Sequence, residues 1–137
     1  MIMKKDGFSF IEILVVTTII AVLTAVGVAN FRVANQKARD GRRQGDLEQI
    51  RAALELYRTD ELAYPTNDII SADIIQSSGG TTYMADVPDD PSTDYVYYYN
   101  SGGSTYTLCA ALEIDTTGIC AASCGSVTCN YQVVSPF

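Results

Sequence analysis

The stretch that decides the fold of this chain is GFSFIEILVV, residues 7–16. It opens a run to Phe31 in which Glu12 is the single charged residue. As a helix, this run of about 24 residues spans about 36 Å, more than the roughly 30 Å hydrocarbon core of a bilayer. A carboxylate at membrane depth costs roughly 2.5 to 3.5 kcal/mol on insertion scales. We therefore expect a membrane-spanning helix over residues 8–31 and a charged partner for Glu12.

The residues before the apolar run argue against simpler targeting signals. Lys4 and Lys5 make a short basic leader that ends at Gly7. A secretory signal has an apolar core of only 7–15 residues and a small-residue cleavage site after it. This run is longer, and no such site closely follows Phe31. A plain signal anchor would explain the lysines and the length, but neither Glu12 nor the glycine before Phe8.

Residues 7–16 resemble the type IV pilin and pseudopilin family, whose members carry a basic leader ending in Gly, then Phe, and Glu as the fifth mature residue. The resemblance implies that a prepilin peptidase cuts between Gly7 and Phe8 and that the new amine of Phe8 is N-methylated. It divides the chain into a leader (1–7), a transmembrane and filament-core helix (8–31) and a soluble head (32–137). Many members have a proline where this chain has Ala29, so no proline kink is expected here.

This resemblance gives Glu12 a physical role. An ionised carboxylate needs compensation in hydrocarbon. Cleavage after Gly7 would create a positive amine on Phe8 of every copy, and the amine of a neighbouring subunit would then be the counter-charge. A buried polar pair of this kind can fix the axial register between helices.

The helical pattern continues beyond Phe31. Apolar residues recur at spacings of three and four, which is one face of a helix; they are Leu47, Ile50, Leu54 and Tyr57. We predict one helix over residues 9–58, with an apolar first half and an amphipathic second half that packs on the head. Arg51 and Glu55 are expected to form an i,i+4 pair on it.

Charge divides the rest of the chain into a basic neck and an acidic head. Residues 32–58 hold seven bases and four acids, whereas residues 59–137 hold ten acids and no base. An acidic head argues against nucleic-acid binding, since phosphate contacts need Lys and Arg. The cluster Arg39, Arg42 and Arg43 is either a solvated helix face or a contact for lipid headgroups and other subunits. Residues 38–47, 54–57 and 63–66 (AYPT) also resemble the major pseudopilin of type II secretion.

The head is predicted to be a small antiparallel sheet. Residues 60–94 contain strong loop markers and are expected to be irregular. Strands are predicted over residues 95–99, 105–112 and near 128–134, with a turn at 100–103. A long helix packed on a β-meander is an α+β fold. The tyrosines of residues 95–99 are either core and face residues of the sheet or an adhesive surface, and their β-propensity favours the first.

The four cysteines Cys109, Cys120, Cys124 and Cys129 suggest two disulfides and an oxidising compartment. Their spacing lacks the paired C-x2-C knuckles of a zinc site. Three pairings are possible, and a Cys109–Cys129 bond would join two strands predicted to be neighbours.

Four aspartates form a second candidate site: Asp86, Asp89, Asp90 and Asp94. Oxygen-rich loops suit calcium, and the resemblance implies calcium here because major pseudopilins often hold an ion in this part of the head. No EF-hand spacing occurs, and a solvated loop of turn-forming aspartates is the competing interpretation. No cofactor is otherwise required. The chain has no His and no catalytic motif, so it is not predicted to be an enzyme.

The sequence thus predicts an inner-membrane prepilin that polymerises, with itself and minor pilins, on an assembly platform. The first hypothesis is a type IV pilus subunit for adhesion, motility or DNA uptake, exposed outside the cell; head disulfides favour it. The alternative is the major pseudopilin of a type II secretion system, with a periplasmic filament; the neck and the AYPT segment favour it. A third is a membrane-anchored binding protein that never polymerises.

Overall fold

The computed structural model describes residues 7–114 and 120–136. The leader up to residue 6 therefore lies outside the described residues, as does Asp115. Helix α1, Phe10–Glu61, runs without interruption through Gly27, within three residues of the predicted bounds at each end. Its first part is long and apolar enough to cross a membrane. The chain divides into two compact units, one up to Asn35 and one from Gln36 onwards.

The first unit is an exposed apolar helix. Every residue from Gly7 to Asn35 whose burial is described is exposed, and the large apolar side chains of this unit are 46% to 84% exposed. The hydroxyls of Thr17, Thr18 and Thr24 donate to helix carbonyls three or four residues earlier, at 2.7 to 2.9 Å. These polar groups are satisfied inside the helix, as an apolar surrounding requires.

In the second unit, α1 supplies the predicted core face. Leu47, Ile50 and Leu54 are fully buried, and Tyr57 packs edge-on against Tyr83 with ring centroids 5.3 Å apart. Packing on the head explains why this half of the helix is amphipathic.

The predicted pair between Arg51 and Glu55 is wrong. Arg51 pairs instead with Glu48, at 3.2 Å. Glu55 accepts hydrogen bonds from the hydroxyls of Tyr64 and Tyr106 at 3.1 and 3.2 Å. Glu55 therefore faces the core side of the helix, where tyrosine hydroxyls replace the expected cation.

The main sheet is the predicted three-stranded antiparallel meander. The described residues of the head form seven strands, which are β1 Ile75–Gln76, β2 Thr82–Met84, β3 Tyr98–Ser101, β4 Tyr106–Ala110, β5 Ser123–Cys124, β6 Val127–Thr128 and β7 Tyr131–Val134. The sheet order is β3-β4-β7. Buried residues of this sheet, among them Leu108 and Val133, join the α1 face in one core. The α+β prediction is confirmed.

The first predicted strand is displaced along the chain. The sequence predicts a strand over residues 95–99, but β3 begins at Tyr98, because Tyr95 bridges to Gly125 and the Val96 amide donates to the Cys124 carbonyl. Residues 95–96 thus belong to the edge of the β5–β6 hairpin. The turn moves to residues 102–105, where the Gly102 amide donates to the Thr105 carbonyl at 3.2 Å.

The segment 60–94 holds more structure than predicted. It contains the short helix α2, Ile69–Ala72, with Asp68 as its N-cap, and the hairpin of β1 and β2. Ile69 and Ile75 are fully buried in the core. These elements are held by tertiary packing, which explains why local patterning does not show them.

The tyrosine-rich stretch is largely core. Tyr97 and Tyr99 are buried, and their hydroxyls donate to the Asp46 carboxylate at 2.8 Å and the Pro65 carbonyl at 2.7 Å. Burial raises the pKa of Tyr99 to about 12. The core interpretation of this stretch is confirmed.

Candidate functional site

The predicted cleavage site lies just ahead of α1. Gly7, Phe8 and Ser9 are exposed and non-helical, and the Phe8 side chain is 79% exposed. The first helical hydrogen bonds run from the amides of Glu12 and Ile13 to the Ser9 carbonyl. The peptide bond between Gly7 and Phe8 is therefore outside the hydrogen-bonded helix and open to an enzyme.

Glu12 lies in the first turn of α1 and is exposed. The positive end of the helix dipole favours a carboxylate at this position. Across residues 7–114 and 120–136, no Lys or Arg forms an ion pair with it. The described part of the chain thus leaves the Glu12 carboxylate open to a partner on another molecule, and the intermolecular pair stays a prediction.

The head contains an ion-pair cluster that the sequence did not reveal. Its centre is Arg43, whose side chain is 0% exposed. Nε and Nη2 of Arg43 donate to the two carboxylate oxygens of Asp90 at 2.7 and 2.9 Å. Nη1 donates to Asp40 at 2.8 Å and to Glu113 at 3.0 Å. One guanidinium therefore joins α1 to two segments that lie 47 and 70 residues further along the chain.

Arg39 completes the ion-pair cluster from one turn earlier. Its Nε and Nη2 both lie 2.6 Å from the Glu113 carboxylate, a bidentate pair. Asp40 accepts from the backbone amides of Glu113 and Ile114 at 2.9 and 3.1 Å. Hydrogen bonds from Arg39 and Arg43 outweigh burial and lower the pKa of Glu113 to about 2. Burial alone would lower the pKa of Arg43, but its bonds to Asp90 and Glu113 raise it.

Both interpretations of the arginine cluster are therefore wrong for Arg43, whose side chain is buried in the head. Arg39 pairs with Glu113, but its side chain is 39% exposed. Arg42 remains 60% exposed, with Asp46 3.7 Å away. A signal was present in the spacing. Positions 39, 43 and 47 are four apart and continue the buried stripe of Leu47, so the two arginines lie on the core side of α1.

The acidic loop, residues 86–94, does not have the geometry of a calcium site. Both Asp90 oxygens accept from Arg43, and its side chain is 1% exposed. Asp86, Asp89 and Asp94 are exposed. Within the described residues, no three His, Cys, Asp or Glu side chains are grouped to hold a metal. The four predicted ligands are thus not brought together, and these residues do not fit the ion.

The predicted pair of disulfides is present, but not the suggested Cys109–Cys129 bond. The bonds join Cys109 to Cys120 and Cys124 to Cys129. In the sheet, the cross-strand partner of Cys109 on β7 is Gln132. Cys129 precedes β7, and its amide donates to the Ala122 carbonyl, so it closes the β5–β6 hairpin instead.

An exposed apolar helix that begins with a Gly-Phe junction and a carboxylate, and that continues into an α+β head, defines the class of type IV pilin-like proteins. Residues 2–28 match the prokaryotic N-terminal methylation motif. Residues 30–118 match the family described as type II secretion system (T2SS), protein G. The chain belongs to this family.

Individual relatives agree with the family match. The type II secretion system core protein G of Pseudomonas aeruginosa is 36% identical over 63 residues, which are 46% of this chain and 44% of that protein. Its counterpart in Klebsiella pneumoniae is 31% identical over 67% of this chain and 73% of its own length. The type IV wide pilus major component PilA4 of Thermus thermophilus is 31% identical over 63% of this chain and 84% of its own length. No solved structure matches significantly.

Proposed function

We propose that this chain is the major pseudopilin of a type II secretion system. It is made as an inner-membrane prepilin, cut after Gly7, N-methylated on Phe8 and polymerised through the first part of α1. The observation that carries the proposal is the exposed apolar part of α1 up to Phe31, with Glu12 in its first turn and no cation paired to Glu12 among the described residues. Lipid covers this apolar surface before assembly, and the helices of other subunits cover it in the filament.

Polymerisation follows from the chemistry at the N-terminal end of this segment. After cleavage, each copy carries one carboxylate at Glu12 and one new amine at Phe8. A pair between these groups on successive copies joins two different patches, so the assembly does not close and grows as a filament. Each new subunit would neutralise one carboxylate in an apolar surrounding, which favours a single axial register.

The family match favours secretion over the pilus hypothesis, because protein G of the secretion system is the family whose profile spans residues 30–118. A type IV pilus subunit is the second candidate, and the likeness to a pilus component over 84% of that protein supports it. In either system the proposed partners are further copies, minor pilins or pseudopilins, the prepilin peptidase and the assembly platform. No catalytic activity is proposed for the chain.

The assembly step is tested with the full chain in a host that has its peptidase and assembly proteins. Glu12→Ala should insert into the membrane and be cleaved, yet give no filaments by electron microscopy. Thr17→Val is the matched control, because its hydroxyl is satisfied within the helix, and it should assemble normally. Filaments of normal length and number from Glu12→Ala would refute the pairing argument.

Processing and the choice of system have separate readouts. Mass spectrometry of the mature protein should show a chain that begins with N-methylated Phe8, and an uncut leader would refute the prepilin proposal. Loss of an exported enzyme from the medium on deletion of the gene would support secretion. Loss of long surface fibres with normal export would favour the pilus candidate instead.

A further inference from the structure

Arg43 lies at the centre of the ion-pair cluster in the head. Three carboxylates from three segments surround its guanidinium: Asp40 from α1, Asp90 from the acidic loop and Glu113 from the segment after β4. Tyr95 covers the guanidinium, whose carbon lies 5.0 Å from the ring centroid. A cation in this place ties the acidic loop and the segment after β4 to the helix.

The bonding of Asp90 argues against a metal in the acidic loop. A calcium ion takes six to eight oxygen ligands at roughly 2.3 to 2.6 Å. Both Asp90 oxygens are engaged by Arg43, and Oδ1 also accepts from the Ser92 amide at 2.8 Å. To bind calcium, Asp90 would have to break its hydrogen bonds to the fully buried guanidinium of Arg43. Arg43 would then lose a partner for its buried charge, which is strongly unfavourable. The remaining aspartates of the loop are exposed and do not converge.

We propose that Arg43 is a built-in cation that replaces a bound metal, and that the head of this chain therefore folds without calcium. A tethered guanidinium is present at unit occupancy in every copy, whatever the ion concentration outside the cytoplasm. Its planar fork also matches the carboxylate of Asp90 in a bidentate geometry that an ammonium group cannot reproduce.

The direct test is thermal unfolding of the full chain in detergent, followed by tyrosine near-ultraviolet circular dichroism. The melting temperature should differ by less than about 2 °C between EDTA and 1 mM calcium. For a calcium site with a dissociation constant near 10 μM, 1 mM calcium is about 100 times the dissociation constant. Binding at that ratio would raise the melting temperature by about 10 °C. A calcium-dependent rise of that size would overturn the proposal.

Charge-matched variants test the role of Arg43. Arg43→Gln should lower the melting temperature by about 10 °C or more in both solutions, or abolish folding, because it leaves the carboxylates of Asp40 and Asp90 without their cation. Arg42→Gln removes the same charge from an exposed neighbouring residue, and it should shift the melting temperature by less than about 3 °C. The melting temperature of Arg43→Lys should lie between those of Arg43→Gln and Arg42→Gln. An Arg43→Gln protein as stable as Arg42→Gln would refute the proposal.

If Arg43→Gln does not fold, Asp89→Asn still tests whether the acidic loop binds calcium. Asp89 is an exposed member of the acidic loop and is absent from the ion-pair cluster. The variant should have the same melting temperature as the parent chain, both in EDTA and in calcium. A calcium-dependent stabilisation of the parent that disappears in Asp89→Asn would assign the loop to a metal instead. These readouts do not involve filaments, so their failure is distinguishable from failure of the proposed function.

Discussion

Replacing Glu113 by glutamine should weaken the head in a pH-dependent way. The glutamate accepts two hydrogen bonds of 2.6 Å from Arg39 and one of 3.0 Å from Arg43. Its side chain is 13% exposed. Glu113→Gln keeps the shape, but it removes the negative charge and turns an NH2 group towards two cations. The variant therefore isolates the electrostatic part of the contact between α1 and the segment after β4.

The size of the effect follows from the pKa of Glu113, which lies at about 2 against an ordinary value of 4.5. A difference of that size corresponds at most to about 3 kcal/mol. Arg39 is 39% exposed, so solvent screening reduces the expected loss at pH 7 to about 1 to 2 kcal/mol. Because folding lowers this pKa, the stabilisation is present in full above pH 4.5 and is lost as the pH falls towards 2.

The assay is equilibrium urea unfolding of the full chain in detergent at a series of pH values from 7 to 2. The free energy of unfolding of the parent should exceed that of Glu113→Gln by about 1 to 2 kcal/mol at pH 7. The gap should narrow below pH 4.5 and nearly close at pH 2. Glu48→Gln is the control, since Glu48 is 50% exposed and pairs with Arg51 on the helix surface; it should cost under about 0.5 kcal/mol.

Two outcomes would contradict this reasoning. A gap that stays constant from pH 7 to pH 2 would mean that glutamine acts through packing and that the charge of Glu113 contributes little. A gap no larger than that of Glu48→Gln would mean that the bidentate contact with Arg39 is worth no more than a surface pair.

Four further substitutions test the packing of the head by the same urea assay. Tyr97→Phe removes the donor 2.8 Å from buried Asp46 and should cost about 1 to 3 kcal/mol; no loss would mean that water replaces it. Leu108→Ala, at a fully buried position, should cost about 2 to 5 kcal/mol, whereas Val134→Ala, at a half-exposed one, should cost under about 1 kcal/mol. Gly125→Ala should cost more than about 1 kcal/mol, because φ is +82° and the new Cβ would lie 2.6 Å from a carbonyl of the acidic loop; a stable variant would show that the loop gives way.

Local patterns predicted the features that local physics decides. The long helix follows from an apolar run and a stripe with helical spacing, and Leu47, Ile50 and Leu54 are buried as that stripe requires. The β-meander follows from two β-rich segments around a glycine-containing turn. The Gly7–Phe8 junction was recognisable because its motif is contiguous in the chain.

Features that depend on distant partners were not predictable. Arg43 meets Asp90 and Glu113 only because the chain returns to α1 after 47 and 70 residues. The cysteine pairing depends on the register of β4 and β7, which places Gln132 opposite Cys109. In each case the residue types were visible, but their partners were set by tertiary structure.

Buried acidic side chains near the second part of α1 have cation partners, whereas Glu12 in the first part has none among the described residues. This contrast supports the assembly proposal. In the head, the carboxylates that pack near α1 have partners: Asp40 and Asp90 pair with Arg43. No buried side-chain polar atom lacks a hydrogen bond among the described residues of the chain. Glu12, by contrast, is exposed and has no cation partner among those residues, and in the proposed membrane and filament it would face an apolar surrounding. A chain that pairs the buried charges of its head internally would leave the exposed Glu12 open if its partner arrives with another subunit.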